Sequence, residues 1–93
     1  MNKASENFLV KLLEAPSPSG YEQAAAKIWR EYVKKHVDQL RPDVHGNSIA
    51  VLNPKAKFKF MLAGHIDEIG LMITYIDDKG YIYTAQIGGM DPS

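Results

Sequence analysis

The sequence predicts an α/β fold in which two helices lead into strands. Residues 3–37 carry apolar side chains at three- and four-residue steps, which is the period of a helix packed along one face. The remaining chain has short apolar or alternating runs bounded by turn residues, as strands do. With 93 residues, 45% of them hydrophobic, the chain can build one small domain with a modest core.

The first helix is predicted from Lys3 to Glu14, where apolar residues form one stripe. It should end at the segment Ala15-Pro16-Ser17-Pro18-Ser19-Gly20. Each proline there lacks an amide donor and disfavours helix in the residue before it. We therefore expect a fixed turn between the two helices.

The second helix is predicted over residues 20–37. Ser19 and Glu22 have the spacing of a capping box, in which a hydroxyl and a carboxylate satisfy free amides at a helix start. Basic residues lie mostly opposite the apolar stripe, and we interpret them as a solvated face. The apolar positions are Tyr21, Ala24, Ala25, Ile28, Trp29, Tyr32 and Val33.

Five segments are predicted as strands: residues 40–45, 48–52, 58–63, 71–76 and 81–87. Gly46-Asn47 separates the first two and suits a tight hairpin turn, while residues 77–80 connect the last two. Local pairing should therefore be antiparallel. The third segment turns from alternating to continuously apolar, which predicts a strand buried on both faces.

Composition narrows the functional classes. Eleven basic and eleven acidic residues give a formal net charge of zero, which disfavours nucleic acid and anionic membranes as partners. The absence of cysteine excludes disulfides and thiolate-bound zinc, so a metal site would need histidine with carboxylates. No run resembles a signal peptide or a membrane-spanning segment, and a cytoplasmic location is expected.

The candidate site lies in the segment Ala63-Gly64-His65-Ile66-Asp67-Glu68-Ile69-Gly70. His65 and Asp67 are two residues apart, so on a strand both side chains would project to the same side. An imidazole can bind a metal through one nitrogen while a carboxylate accepts from the other. Glu68 would face the opposite way, which argues against a carboxylate pair flanking a glycosidic bond.

A short motif of this kind is weak evidence for a metal site by itself. His65, Asp67 and Glu68 could simply be polar residues at the solvent-exposed end of a strand. His36 lies in the basic end of a helix and His45 lies beside a hairpin turn, so we interpret both as surface or packing residues. The surrounding sequence adds more specific information.

Four motifs together resemble the tetrahedral aminopeptidases, a family that includes glutamyl and deblocking aminopeptidases. They are Ser19-Gly20-Tyr21-Glu22, Asp43-Val44-His45-Gly46-Asn47, the stretch from Ala63 to Met72, and Ile87-Gly88-Gly89. The match extends over essentially the whole chain, in the family's order and approximate spacing. Four motifs in register are far more specific than any one of them.

The resemblance implies a two-metal exopeptidase, usually with zinc or cobalt, that acts on peptides. It makes His65 a metal ligand and Asp67 the supporting catalytic acid, and it gives Glu68 no definite role. Residues 1–71 would be the N-terminal part of the catalytic domain with its mixed sheet. Residues 72–93 would begin an inserted β domain that mediates dimer contacts, within homo-oligomers ranging from dimers to dodecamers.

The sequence departs from the family because it ends before the bridging aspartate, the general-base glutamate and the remaining metal ligands. The 93-residue chain alone is therefore predicted to be inactive. A truncated, non-catalytic structural or binding module is the alternative hypothesis. A third, weaker one is an endoglucanase, which rests only on names given to some relatives.

Overall fold

The computed structural model describes residues 1–91 and confirms the α/β fold. Two helices come first and two strand pairs follow. The elements are α1 (Lys3–Glu14), α2 (Gln23–Val33), β1 (Gln39–Pro42), β2 (Ser48–Val51), β3 (Gly70–Ile76) and β4 (Ile82–Ile87).

Helix α1 has the predicted bounds. Asn2 caps its N-terminus, with the side-chain Oδ1 accepting a hydrogen bond from the Ser5 N–H at 2.8 Å. The helix packs against α2 through Phe8 and Tyr32, whose rings stack with centroids 3.9 Å apart and planes inclined by 10°.

Helix α2 is shorter than predicted, and the predicted capping box is wrong. Its N-cap residue is Glu22, which makes no side-chain cap bond; its carboxylate instead accepts from the Gly20 N–H. The Tyr21 N–H donates to the Pro18 carbonyl at 2.8 Å, and Gly20 has φ +92°. This four-residue turn keeps the chain out of the helix until Gln23.

Strands β1 and β2 form the predicted antiparallel hairpin, with Gln39 opposite Val51 and Pro42 opposite Ser48. The connection is residues 43–47 rather than Gly46-Asn47 alone. Asp43 organises this longer loop, because its carboxylate accepts from both the backbone and the side-chain amide of Asn47 and from the His45 N–H.

Strands β3 and β4 form the second predicted antiparallel hairpin. Its register shifts between Ile73 and Tyr75. At the turn, Asp77 Oδ1 accepts hydrogen bonds from the Lys79 and Tyr81 N–H groups, both at 2.9 Å.

The prediction of a strand over residues 58–63 is wrong, since this segment forms no regular structure. The side chains of Phe58, Phe60, Met61 and Leu62 are 79–88% exposed. A strand exists only when a neighbouring strand satisfies its backbone, and within residues 1–91 none pairs with this segment. Both sheets of the described chain are antiparallel hairpins, and the parallel pairing is the isolated bridge between Pro18 and Glu68.

The buried residues of the described chain lie around the turn between the helices. Ala15, Ala25 and Ala26 are the buried apolar residues, and Ser17 is buried with only 4% exposure. Burial therefore stabilises the proline-rich turn more than it stabilises either hairpin. No helix within residues 1–91 is both long and apolar enough to cross a membrane.

Candidate functional site

His65 lies in a segment without regular secondary structure shortly before β3. Its side chain is 86% exposed. The imidazole is therefore accessible to a ligand. Its orientation depends on the hydrogen bond made by its Nδ1 nitrogen.

Asp67 holds that imidazole. His65 Nδ1 and Asp67 Oδ1 lie 2.9 Å apart. An ionised carboxylate can only accept hydrogen bonds, so Nδ1 carries the proton and donates it to Asp67. In the neutral ring the other nitrogen, Nε2, is then unprotonated, which is the form that binds a metal cation.

Ser19 holds Asp67 in turn. The Ser19 hydroxyl donates to Asp67 Oδ2 at 2.6 Å, so the two carboxylate oxygens have different partners. The hydrogen bond from Ser19, and after it the one from His65, lowers the pKa of Asp67 below its usual value of 3.8. Asp67 therefore remains an acceptor over a wider range of pH than an isolated aspartate.

The backbone bridge between Pro18 and Glu68 places Ser19 within reach of Asp67. The Glu68 N–H donates to the Ser17 carbonyl at 2.8 Å, and the Ser19 N–H donates to the Glu68 carbonyl at 3.2 Å. Glu68 also uses its side chain here, since Oε1 accepts from the Ser17 N–H at 3.2 Å. Asp67 and Glu68 thus serve different partners, and they do not form an acid pair.

Two glycines allow the segments around the site to approach closely. A Cβ on Gly70 would lie 3.2 Å from the Pro18 Cβ, and one on Gly88 would lie 2.9 Å from Ile69 Cγ2. Gly88 also has φ +86°, as expected for the turn predicted at Gly88-Gly89. The end of β4 therefore packs directly behind the residues that follow Asp67.

Three of the four motifs of the sequence thus meet at one place: the turn around Ser19, the segment from His65 to Gly70, and Gly88. The fourth motif, at residues 43–47, forms its own loop around Asp43. His45 lies in that loop, and the His36 ring lies 5.6 Å from the Tyr32 ring. Within residues 1–91 neither histidine belongs to a cluster of three potential metal ligands.

Ser19 is the site residue whose role was predicted wrongly from the sequence. Its spacing to Glu22 suggested a helix cap, whereas its partner lies 48 positions further along the chain. The feature of the sequence that could have indicated a site role for Ser19 is its position in one of the four motifs, next to the glycine of a turn.

The residues present fit one ligand of a metal centre. His65 supplies a nitrogen, with Asp67 fixing its protonation, which is the usual arrangement behind a metal-binding histidine. Within residues 1–91 no cluster of three or more His, Cys, Asp or Glu side chains could hold an ion. A protein zinc site generally needs about three or four protein ligands.

The fold corresponds to the N-terminal part of a TET-type aminopeptidase. A crystal structure of the TET aminopeptidase from a marine sediment archaeon of the Thaumarchaeota superposes with a TM-score of 0.84 at 29% identity, covering 92% of this chain and 24% of that one. The sequence profile described as M42 glutamyl aminopeptidase matches residues 46–93. The chain belongs to the M42 glutamyl aminopeptidase family, as its four motifs indicated.

Curated relatives agree with this assignment. A predicted aminopeptidase of Acetivibrio thermocellus is 46% identical over 84 residues, which is 90% of this chain and 25% of that protein. The lysyl aminopeptidase of Pyrococcus furiosus is 39% identical over 86 residues, or 91% of this chain and 25% of that protein. The chain therefore spans about a quarter of the length of these relatives.

Proposed function

We propose that this chain is the N-terminal portion of an aminopeptidase that removes N-terminal residues from peptides with the help of two divalent metal ions, zinc or cobalt. The observation that supports this best is the 2.9 Å contact between His65 Nδ1 and Asp67 Oδ1. This pair lies within residues 46–93, the part of the chain that the family profile matches. It combines a metal-binding group with the group that would orient it.

In this proposal His65 binds one ion through Nε2. Asp67 keeps the proton on Nδ1, holds the plane of the ring and raises its basicity as a ligand. Asp67 is the catalytic acid that the family resemblance implies. It acts beside the metal and is not one of a pair of glycosidase carboxylates. Glu68 has no chemical role in the proposal, because its carboxylate is engaged by the Ser17 amide.

When bound, the two ions would activate a water molecule and polarise the scissile carbonyl of the peptide. The chain contributes the exposed imidazole, whose open side faces solvent and leaves room for a peptide end. On this proposal the remaining ligands come from sequence that the longer relatives possess, and the 93-residue chain alone does not hydrolyse peptides.

The domain assignment and the assembly are also proposals. Residues 1–71 belong to the catalytic domain, and residues 72–93 begin an inserted β domain, of which Pro92 and Ser93 lie outside the described residues. The β3–β4 hairpin, apart from Gly70 and Leu71 at the start of β3, would be the first element of that inserted domain. A homo-oligomer in the cytoplasm completes the proposal, and the TET aminopeptidase that superposes on the chain supports the assembly.

A chimera tests the function directly. The 93 residues replace the matching first quarter of the Pyrococcus furiosus lysyl aminopeptidase, and release of lysine from a lysyl chromogenic substrate is measured with added zinc or cobalt. We expect hydrolysis that a chelator abolishes and the metal restores. The chimera with His65→Ala should lose one equivalent of bound metal together with its activity.

The matched control is the chimera with His45→Ala, which removes a histidine of the separate loop and should behave like the parent. A soluble, folded chimera that hydrolyses nothing, or whose activity does not require His65, would overturn the proposal. Chelator-sensitive hydrolysis by the 93-residue chain alone would show instead that its predicted inactivity is wrong.

A further inference from the structure

We infer that Ser19 is a positioning residue of the metal centre: its hydroxyl orients the Asp67 carboxylate, which in turn selects the metal-binding form of His65. This inference rests on the proposed function and extends it to a residue of the proline-rich turn. It starts from two contacts, Ser19 Oγ to Asp67 Oδ2 at 2.6 Å and Asp67 Oδ1 to His65 Nδ1 at 2.9 Å.

The Ser19 hydroxyl restricts the freedom of the Asp67 carboxylate. A carboxylate on an irregular segment can rotate about its side-chain bonds, and the Asp67 side chain is 38% exposed, so solvent competes for both oxygens. The Ser19 hydroxyl occupies one oxygen with a short bond of the charge-assisted kind. The other oxygen is thereby directed toward the imidazole.

Backbone hydrogen bonds place Ser19 beside Asp67. Its N–H donates to the Glu68 carbonyl, and the Glu68 N–H donates to the Ser17 carbonyl, so the backbone on both sides of Pro18 is tied to the residue after Asp67. The following glycine, at φ +92°, closes the turn by a bond from the Tyr21 N–H to the Pro18 carbonyl. The backbone of Ser19 is therefore held beside Asp67, with its hydroxyl within hydrogen-bond distance of the carboxylate.

Ser19 has no role as a helix cap in this structure. Ser19 does not cap α2, because that helix has Glu22 as its N-cap residue and no side-chain cap bond. Removal of the hydroxyl should therefore affect the Asp67 pair rather than the start of the helix. Ser19 is also exposed, so changing it leaves no cavity in the interior.

The test compares Ser19→Thr with Ser19→Val, two side chains of similar size of which only threonine keeps the hydroxyl. Long-range proton–nitrogen NMR of the metal-free 93-residue chain reports which His65 nitrogen is protonated, at a pH where the ring is neutral. We expect the Nδ1–H form to dominate in the parent and in Ser19→Thr, and a mixture of both forms in Ser19→Val. Ser5→Ala, which alters a hydroxyl of α1, should match the parent.

The second measurement uses the chimera with the lysyl aminopeptidase. Ser19→Val should lower kcat by no more than the about 10- to 100-fold typical for a group bonded directly to a metal ligand, while KM is unchanged and Ser19→Thr restores the rate. Equal His65 spectra and equal kcat in the valine and threonine variants would overturn the inference. If the parent chimera is soluble and folded but inactive, the proposed function fails, and the NMR comparison still decides the role of Ser19.

Discussion

Ser17 and Glu68 hold each other through two hydrogen bonds although 51 positions separate them in the sequence: the Glu68 N–H donates to the Ser17 carbonyl at 2.8 Å, and the Ser17 N–H donates to Glu68 Oε1 at 3.2 Å. Ser17 is buried, with 4% exposure, so its amide has little access to water. Glu68 therefore acts as a structural clamp on the turn that carries Ser19.

The first prediction concerns this clamp. Glu68→Ala removes the acceptor of the Ser17 N–H and should lower the local opening free energy there by about 1–3 kcal/mol, as expected for a buried amide left without a partner. Glu68→Gln keeps a side-chain oxygen and should lose less. Amide hydrogen exchange at Ser17 measures both, and equal protection in the alanine variant and the parent would contradict the clamp.

The second prediction concerns Gly88. Both Gly46 and Gly88 have positive φ, near +90°, and alanine at such a position costs about 1–2 kcal/mol from backbone strain alone. A Cβ at Gly46 would meet nothing within 4 Å, whereas one at Gly88 would lie 2.9 Å from Ile69 Cγ2. Gly88→Ala should therefore destabilise the chain more than Gly46→Ala in urea unfolding.

A double variant provides the control. Ile69→Ala removes Cγ2, so in its presence the cost of Gly88→Ala should fall toward that of Gly46→Ala. Gly64, which has neither a positive φ nor a neighbour within 4 Å, should accept alanine without loss of stability. If the penalty at Gly88 is the same with and without Ile69, the steric explanation is wrong.

The third prediction is a pH dependence of the β1–β2 loop. The side-chain hydrogen bond from Asn47, followed by backbone bonds from Asn47 and His45, lowers the pKa of Asp43 from 3.8. A carboxyl group whose pKa is lower in the folded state stabilises it fully above the unfolded value and loses this contribution as pH falls through the folded value. Protection of the Asn47 amide should accordingly decline below a pH of about 4.

Asp43→Asn is the matched variant for that experiment, since it keeps an acceptor oxygen and cannot ionise. Its Asn47 amide should be less protected at neutral pH and should show no decline in the acidic range. A decline of the same size in the variant and in the parent would assign the effect to another group.

The fourth prediction concerns the helix pair. The Phe8 and Tyr32 rings are stacked at 3.9 Å, and aromatic pairs contribute about 0.5–1.5 kcal/mol beyond the area they bury. A double-mutant cycle with Phe8→Leu and Tyr32→Leu should give a coupling energy of that size. Coupling near zero would mean that the two residues stabilise the helices only by burial.

The sequence predicted the parts of this fold that depend on neighbours along the chain. Helix α1 follows from its apolar period and the prolines after it, and both hairpins follow from turn residues between alternating runs. The longer β1–β2 loop was not predicted. The Asp43 carboxylate accepts three hydrogen bonds, and these hold residues 43–47 in a loop outside the strands.

Features that depend on distant partners were predicted less well. Residues 58–63 have the composition of a buried strand, but within residues 1–91 they meet no strand that could pair with them. Ser19 was expected to satisfy an amide three residues away, and it instead satisfies a carboxylate brought to it by the Pro18–Glu68 bridge. At the site, the His65–Asp67 spacing was informative because two residues of an extended segment readily face the same way.

The fifth prediction separates the two site residues in the chimera with the lysyl aminopeptidase. His65→Ala removes a ligand and should release metal, whereas Asp67→Asn keeps an oxygen beside Nδ1 and should retain metal at reduced affinity. Turnover should fall by about 10- to 100-fold in Asp67→Asn, because the ring loses its charged partner. Metal content and kcat measured together test this, and parental turnover in Asp67→Asn would remove Asp67 from the catalytic site.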